Sequence, residues 1–499
     1  MLLPRHFLPF QTLDCICSAF VFDTAHTPMS DRPYLYAELT NSLCATCLRK
    51  VEAKVVYQDG HVYLHKRCPD HGFAKVLIST DIPYYQRSRN TLKAGQLPAH
   101  FNTATVRGCP YDCGLCPDHE QHSCVTLVEI TDVCNLQCPV CYAESSPKRQ
   151  THRSLAQVEF MLDCVVRNEK EPDIVQISGG EPTIHPQFFD ILDAARRRPI
   201  KHLMLNTNGV RIAQDAEFAR RLAGYGPKFE VYLQFDSLKE EPLRVLRGAD
   251  LLATRRRALD RLNELNLSTT LVVTLKKGLN DDEIGAIVDF ALKEPCVRGV
   301  TFQPIQDAGR VENFDPAKDR LTLGEVRQKL LAQTSVFTPA DVIPVLCHPD
   351  CLAMGYALKL GGKVIPLTGL IPQDVLLNAE SNTIVYEEVP QLRDEVFKLF
   401  STSHSPESAA GALAQLLCCL PLVKAPTLKY TNLFRVLIVQ FLDAHNFDVR
   451  SVKKTCIHIV HPDGRIIPFD TFNLFYRDGR EAALRAAVAA TAGSIPVKV

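Results

Sequence analysis

The 499-residue chain has no tryptophan and no net charge, since 56 Lys and Arg balance 56 Asp and Glu. A balanced total argues against a nucleic acid or another polyanion as the main partner, so none is expected. No apolar run is long enough to cross a bilayer, so no membrane span is expected either. The opening stretch MLLPRHFLPFQTLDCICSAF is mildly apolar, but Arg5, His6 and Asp14 interrupt any clean signal-peptide core. Residues 1–28 are read as a poorly defined extension, and a true start at Met29 would make Cys15 and Cys17 bystanders. The remaining composition, 46% hydrophobic and 22% charged, is that of an ordinary globular protein with room for two to four domains.

Cysteine is what the chain does have, at 19 residues. A chain of this length needs no disulfides to replace a missing core. Most of the cysteines stand two or three residues apart, which suits metal ligation better than long-loop bridges. Thiolate ligands last best in a reducing compartment, so a cytoplasmic location is expected.

Two runs share the spacing C-x3-C-x2-C: Cys109, Cys113, Cys116 and then Cys134, Cys138, Cys141. The second follows VTLVEITDV, a β-branched stretch that reads as a strand. Three thiolates would leave one iron of a 4Fe–4S cluster open to a further ligand; a structural zinc site is the alternative for the run taken alone. From there strands alternate with helices. VTLVEIT, DIVQIS, HLMLNT, EVYLQF, TTLVVTL and GVTFQP are the strands, and a parallel sheet binding ligands at its C-terminal strand ends is implied. Those ends carry Gly179-Gly180-Glu181-Pro182, Asn208, Gln234, Asp236 and Gln303. Glycines allow close backbone approach to a ligand.

C-x3-C-x2-C followed by the aromatic Tyr142, with the GGEP run in register, resembles the radical S-adenosylmethionine (radical SAM) enzymes. The resemblance implies an open six-stranded partial barrel over roughly Val125 to Thr334. It also implies a 4Fe–4S cluster on Cys134, Cys138 and Cys141 whose free iron chelates SAM, and reductive cleavage to a 5′-deoxyadenosyl radical. Gly179 to Pro182 would hold the SAM amino group, Gln234 and Asp236 would face ribose hydroxyls, and Tyr142, Asn208 and Gln303 complete the cofactor-binding set. An electron donor such as ferredoxin or flavodoxin follows.

The first run has Pro117 in place of an aromatic, and Cys124 stands eight residues after Cys116. Four thiolates would saturate a closed auxiliary cluster, with His119 and His122 as spare ligands or sulfur hydrogen-bond partners. Upstream, Cys44, Cys47 and Cys68 flank VEAKVVYQDGHVYLHK, a hairpin turning at Asp59-Gly60. This reads as a structural iron or zinc site with His71 nearest for the fourth position. Cys347, Cys351 and Cys456 make a further cluster with Asp470, or else are buried free thiols. Cys164, Cys296, Cys418 and Cys419 are read as core, and Leu428 to His445 as a buried helix.

The expected fold is thus α/β. It comprises an N-terminal cysteine-rich metal-binding module (29–100), an auxiliary cluster segment (101–124), a partial (β/α)6 radical SAM barrel (125–335) and an α+β C-terminal domain (336–499). The full layout, ending in PFDTFNLFYR, resembles the archaeal-type dihydropterin methylases and their relatives the tetraether lipid synthases. That implies C-methylation of a pterin-like small molecule, with a methylene-folate type carbon donor. The alternatives are carbon–carbon coupling of lipid chains and a non-catalytic metal-binding scaffold.

Overall fold

The computed structural model describes residues 32–91, 93–360, 362–371, 373–378 and 432–477. The expectations for residues 1–28, Met29, Cys15, Cys17, Cys418 and Cys419 fall outside these.

The N-terminal module is a four-stranded antiparallel sheet: β1 (Leu35–Leu43), β2 (Lys50–Gln58), β3 (His61–Cys68) and β4 (Gly72–Ser79), paired in sequence order. The β2–β3 hairpin turns at Asp59 and Gly60, whose φ angles of 52° and 77° are the left-handed pair that a two-residue turn demands. Val55, Val62 and Leu64 form a small core between this sheet and the helix Ile82–Asn90.

Six strands then run parallel in sequence order: β5 (Val125–Thr131), β6 (Ile174–Gly179), β7 (His202–Thr207), β8 (Phe229–Gln234), β9 (Thr269–Leu275) and β10 (Val297–Pro304). The connecting helices lie where the apolar periodicity puts them. Leu155–Glu169, for example, begins at a Ser154–Gln157 capping box and buries Val158, Met161, Leu162 and Val165. Every residue of β5 is buried, as befits a strand covered on both faces.

The C-terminal segments add strands to both edges of this sheet. They are β11 (Ile343–Pro344), β12 (Leu352–Leu360), β13 (Lys363–Pro366), β14 (Leu433–Val439), β15 (Ile457–Val460) and β16 (Ile466–Pro468). β14 pairs parallel with β10, and β15 pairs parallel with β5. Among the described residues the sheet stays open, running from β11 at one edge to β16 at the other. Among the described residues, the buried helix expected at 428–445 is instead the strand Leu433–Val439 followed by a loop. LFRVLIV is β-branched and apolar on both faces, and a short run of that kind satisfies either period until a neighbouring strand offers its hydrogen bonds. The hairpin at Asp463-Gly464 joins β15 to β16.

Candidate active site and metal sites

The loop after β5 carries Cys134, Cys138 and Cys141 to the C-terminal mouth of the sheet, where all three line one cavity. The end of β6 holds the root of that loop. Gly180 N–H donates to Thr131 O (2.7 Å) and Glu181 N–H to Val133 O (2.9 Å). A Cβ on Gly179, which sits at φ 125°, would strike the Thr131 carbonyl oxygen, and one on Gly180 would strike that of Val133. The two glycines therefore let two backbones lie against each other at the cavity rim.

Two arginines that the sequence did not single out complete the loop's setting. Arg310 and Cys141 exchange backbone hydrogen bonds (3.0 and 2.9 Å), while the Arg310 guanidinium donates to Cys138 O (2.8 Å) and Ser145 O (2.6 Å). Arg247 ends the helix Glu240–Arg247 and points its guanidinium at the cluster loop. Burial raises the Cys138 thiol pKa, and the charge and hydrogen bond of Arg247 pull it back. Burial pushes Cys134 up to about 12. Nothing in the protein's own charges therefore makes Cys134 a thiolate, and binding a metal would favour the anion.

Of the residues read as cofactor contacts, Tyr142, Gly179, Gly180, Glu181, Asn208, Gln234 and Gln303 line the same cavity; Pro182 and Asp236 do not. Asp236 is fully buried. It accepts from Arg247 (2.6 and 2.7 Å), Arg255 (2.8 Å) and Thr274 N–H (3.1 Å). Burial alone would raise its pKa, but Arg247 and Arg255 hold it down at about 2. Its carboxylate orients the arginines instead of facing a ribose. Glu181 is likewise committed: its oxygens take Thr183 N–H, Thr183 Oγ1, Thr207 Oγ1 and Asn208 N–H. It braces the β6 and β7 ends at the cavity wall.

Deeper in, the cavity is rich in amides. Gln234 Nε2 donates to Asn206 Oδ1 (2.9 Å), and Gln303 Nε2 donates to the Tyr232 hydroxyl (3.1 Å). Gln176 lines the same space. Arg435, Leu437 and Val439 of β14, with Phe441 and Phe469, close the wall, so the C-terminal segments complete the cavity.

Three thiols facing one cavity, beside a glycine-built rim and a buried guanidinium, fit a 4Fe–4S cluster that keeps one iron for an outside ligand.

The remaining cysteines group differently from the sequence expectation. Cys44, Cys47, Cys68 and His71 bring their ligand atoms within 4.8 Å of one another, a Cys3His set for a single ion. Cys113 lowers the pKa of the neighbouring Cys109 thiol, and Cys113 Sγ lies 2.9 Å from Thr471 Oγ1. Cys124 is not their fourth member. It precedes β5, and strand pairing carries it instead to Cys347 and Cys456. Cys351 is not in that group, and neither is Asp470, which accepts from Leu442 N–H (2.6 Å) and the Thr455 hydroxyl (3.0 Å). The four-residue set Cys347, Cys351, Cys456 and Asp470 is therefore replaced. A backbone turn, with Cys351 N–H donating to His348 O (3.3 Å), separates Cys351 from Cys347, and burial together with the charges of Asp470 and Asp350 raises the Cys351 thiol pKa. Cys164 and Cys296 are buried core residues.

Parts of the chain are similar to known proteins. The family model described as "Radical SAM superfamily" matches residues 128–291, and the "HMPTM N-terminal zinc ribbon domain" matches residues 36–80. The chain is 29% identical over 489 residues to the 7,8-dihydro-6-hydroxymethylpterin dimethyltransferase of Methanocaldococcus jannaschii, covering 88% of this chain and 94% of that protein. A GTP 3′,8-cyclase of Syntrophomonas wolfei is 27% identical over 225 residues, covering 44% of this chain and 66% of the cyclase. Among solved structures, Streptococcus suis SuiB bound to S-adenosylmethionine matches 42% of this chain and 46% of its own, with 17% identity and a TM-score of 0.35. Residues 128–291 thus form a radical SAM domain, with a zinc ribbon domain ahead of it at residues 36–80.

Proposed function

We propose that this radical SAM enzyme C-methylates a reduced pterin or a closely similar heterocycle. The observation that carries the reading is the extent of the likeness to the pterin dimethyltransferase. It covers 88% of this chain and 94% of that protein, whereas the likeness to the cyclase takes in less than half of this chain. The cavity supports it chemically. Gln176, Asn206, Gln234 and Gln303 offer side-chain amides, which both donate and accept, and a pterin edge presents both kinds of partner.

In this reading Cys134, Cys138 and Cys141 hold the cluster, and Tyr142, Gly179, Gly180, Asn208, Gln234 and Gln303 surround SAM. Cys109, Cys113 and Cys116 hold an auxiliary cluster. Cys44, Cys47, Cys68 and His71 hold one zinc or iron ion. When bound, the open cluster supplies the electron for reductive SAM cleavage. The chain's own residues position the reactants. Arg310 fixes the cluster loop, Arg247 places positive charge beside Cys138, and Phe441 and Phe469 exclude water from the cavity wall. A ferredoxin or flavodoxin in the cytoplasm is the electron donor this chemistry calls for.

The test is anaerobic reconstitution with SAM, a reductant, 7,8-dihydro-6-hydroxymethylpterin and a methylene-folate type donor, followed by mass spectrometry. Pterin carrying added methyl groups supports the reading. SAM cleavage with the pterin returned unchanged overturns it.

A further inference from the structure

A buried lysine ties the zinc ribbon to the C-terminal segments. Lys66 lies on β3, two residues before Cys68, and is 4% exposed. Its ammonium donates to Leu43 O (2.5 Å), beside Cys44, and to Ala444 O and His445 O (2.8 Å each). An ammonium has three N–H groups, so these three carbonyls satisfy it in full. One acceptor belongs to the ribbon and two belong to the turn at 443–446. A buried charge is costly unless it is met in this way, and an apolar side chain in its place would take the donor from all three carbonyls. Arginine is no substitute, because its planar fork does not match acceptors gathered about a single ammonium.

The turn that Lys66 holds is closed on itself. Asp443 Oδ1 accepts His445 N–H (2.8 Å) and Asn446 N–H (3.3 Å), and Asn446 Oδ1 accepts Asp443 N–H (2.8 Å). It also meets the segment 305–311. Asp443 Oδ2 accepts Asp307 N–H (2.9 Å), and His445 Nε2 lies 3.2 Å from Asp307 Oδ2. Ile305, Gln306, Ala308 and Val311 of that segment line the cavity, and its Arg310 bonds to Cys141, Cys138 and Ser145. A continuous run of polar contacts therefore leads from the ribbon to the loop of Cys134, Cys138 and Cys141.

We propose that Lys66 is a positioning residue for reductive SAM cleavage. It holds the 443–446 turn, and through Asp443 and Asp307 it fixes the segment whose Arg310 shapes the cysteine loop. The ribbon then braces the SAM cavity as well as folding ahead of it. The inference concerns SAM cleavage alone, so it stands or falls separately from the choice of a pterin as the methylated substrate.

The test is Lys66→Met in the full-length protein, reconstituted anaerobically; the change keeps the stem and removes the donors. The variant should form 5′-deoxyadenosine about tenfold more slowly per cluster, since a displacement near 1 Å can cost on the order of 100-fold. The EPR signal of its reduced cluster with SAM bound should differ from that of wild type. A loss of stability alone moves neither readout. Lys66→Met is then combined with Arg310→Ala. Changes that act along one path do not add, so the double variant should lose clearly less than the product of the two single losses. Losses that multiply overturn the proposal. So do a wild-type rate per cluster and a wild-type signal in a Lys66→Met protein that merely unfolds at a lower temperature. Should Lys66→Met fail to fold, His445→Ala decides, because it cuts the contact to Asp307 from a half-buried position. A severalfold slower cleavage per cluster supports the proposal, and a wild-type rate overturns it.

Discussion

Arg247 grips the Asp236 carboxylate through two hydrogen bonds, at 2.7 and 2.6 Å, while the charge of the same guanidinium lowers the pKa of the Cys138 thiol against the effect of burial. One buried ion pair thus ties β8 to the loop that carries the three cavity-facing cysteines. Removing one partner leaves the other charge uncompensated in the interior. Arg247→Ala should cost about 3 kcal/mol, the low end for a broken buried pair because Arg255 still faces Asp236. Denaturant unfolding measures the loss, and cluster iron should fall in parallel. A variant of wild-type stability and iron content would contradict this role.

Gly180→Ala tests the cavity rim. A methyl group there meets the Val133 carbonyl, so the loop root must shift and carry Cys134 with it. A displacement near 1 Å can cost on the order of 100-fold in rate. The expected outcome is at least a tenfold loss of SAM cleavage in a protein that still folds, read from 5′-deoxyadenosine formed per cluster.

Asp470 gives a pH dependence. Burial pushes its carboxyl up to about 6, against the partial pull of Leu442 N–H and the Thr455 hydroxyl. A raised folded-state value means that the native state holds the proton after the unfolded chain has lost it. Stability should therefore fall as pH rises from about 4 to about 6, by roughly 1.4 kcal/mol per unit at most. Asp470→Asn should flatten that part of the stability profile. A profile equally steep in the variant would exclude Asp470 as its source.

Much of this was legible in the sequence because it is local. The six parallel strands follow from period and spacing, and the turn at Asp59-Gly60 follows from its dipeptide. His71, three residues after Cys68, was within reach of a spacing argument and does complete the ribbon set. The partition of the other cysteines was not, because it is decided by strand pairing. Cys124 looks like the tail of the Cys109 run until β5 and β15 lie side by side and bring Cys456 to it. Arg247 and Arg310 carry no motif; only the fold brings them to the cysteine loop. Asp236 stood in the expected place at a strand end, yet two buried arginines took its charge.

Arg310→Ala should loosen the cysteine loop without removing a thiol. It deletes hydrogen bonds to Cys138 O and Ser145 O, each worth about 1.5–3 kcal/mol because the donor is charged. The variant should take up iron on reconstitution but lose it to air or chelator several times faster than wild type, as followed by visible absorbance. Equal rates would show that the loop holds its shape without the arginine.

The account's central claim is the division of labour between the two C-x3-C-x2-C runs. The direct measurement is 5′-deoxyadenosine released from SAM by anaerobic, reconstituted wild-type, Cys141→Ala and Cys116→Ala proteins under one reductant, with iron counted in each. The account predicts that Cys141→Ala forms none while Cys116→Ala, with less iron, still forms some. Complete and equal loss in both folded variants, or undiminished cleavage by Cys141→Ala, would contradict it.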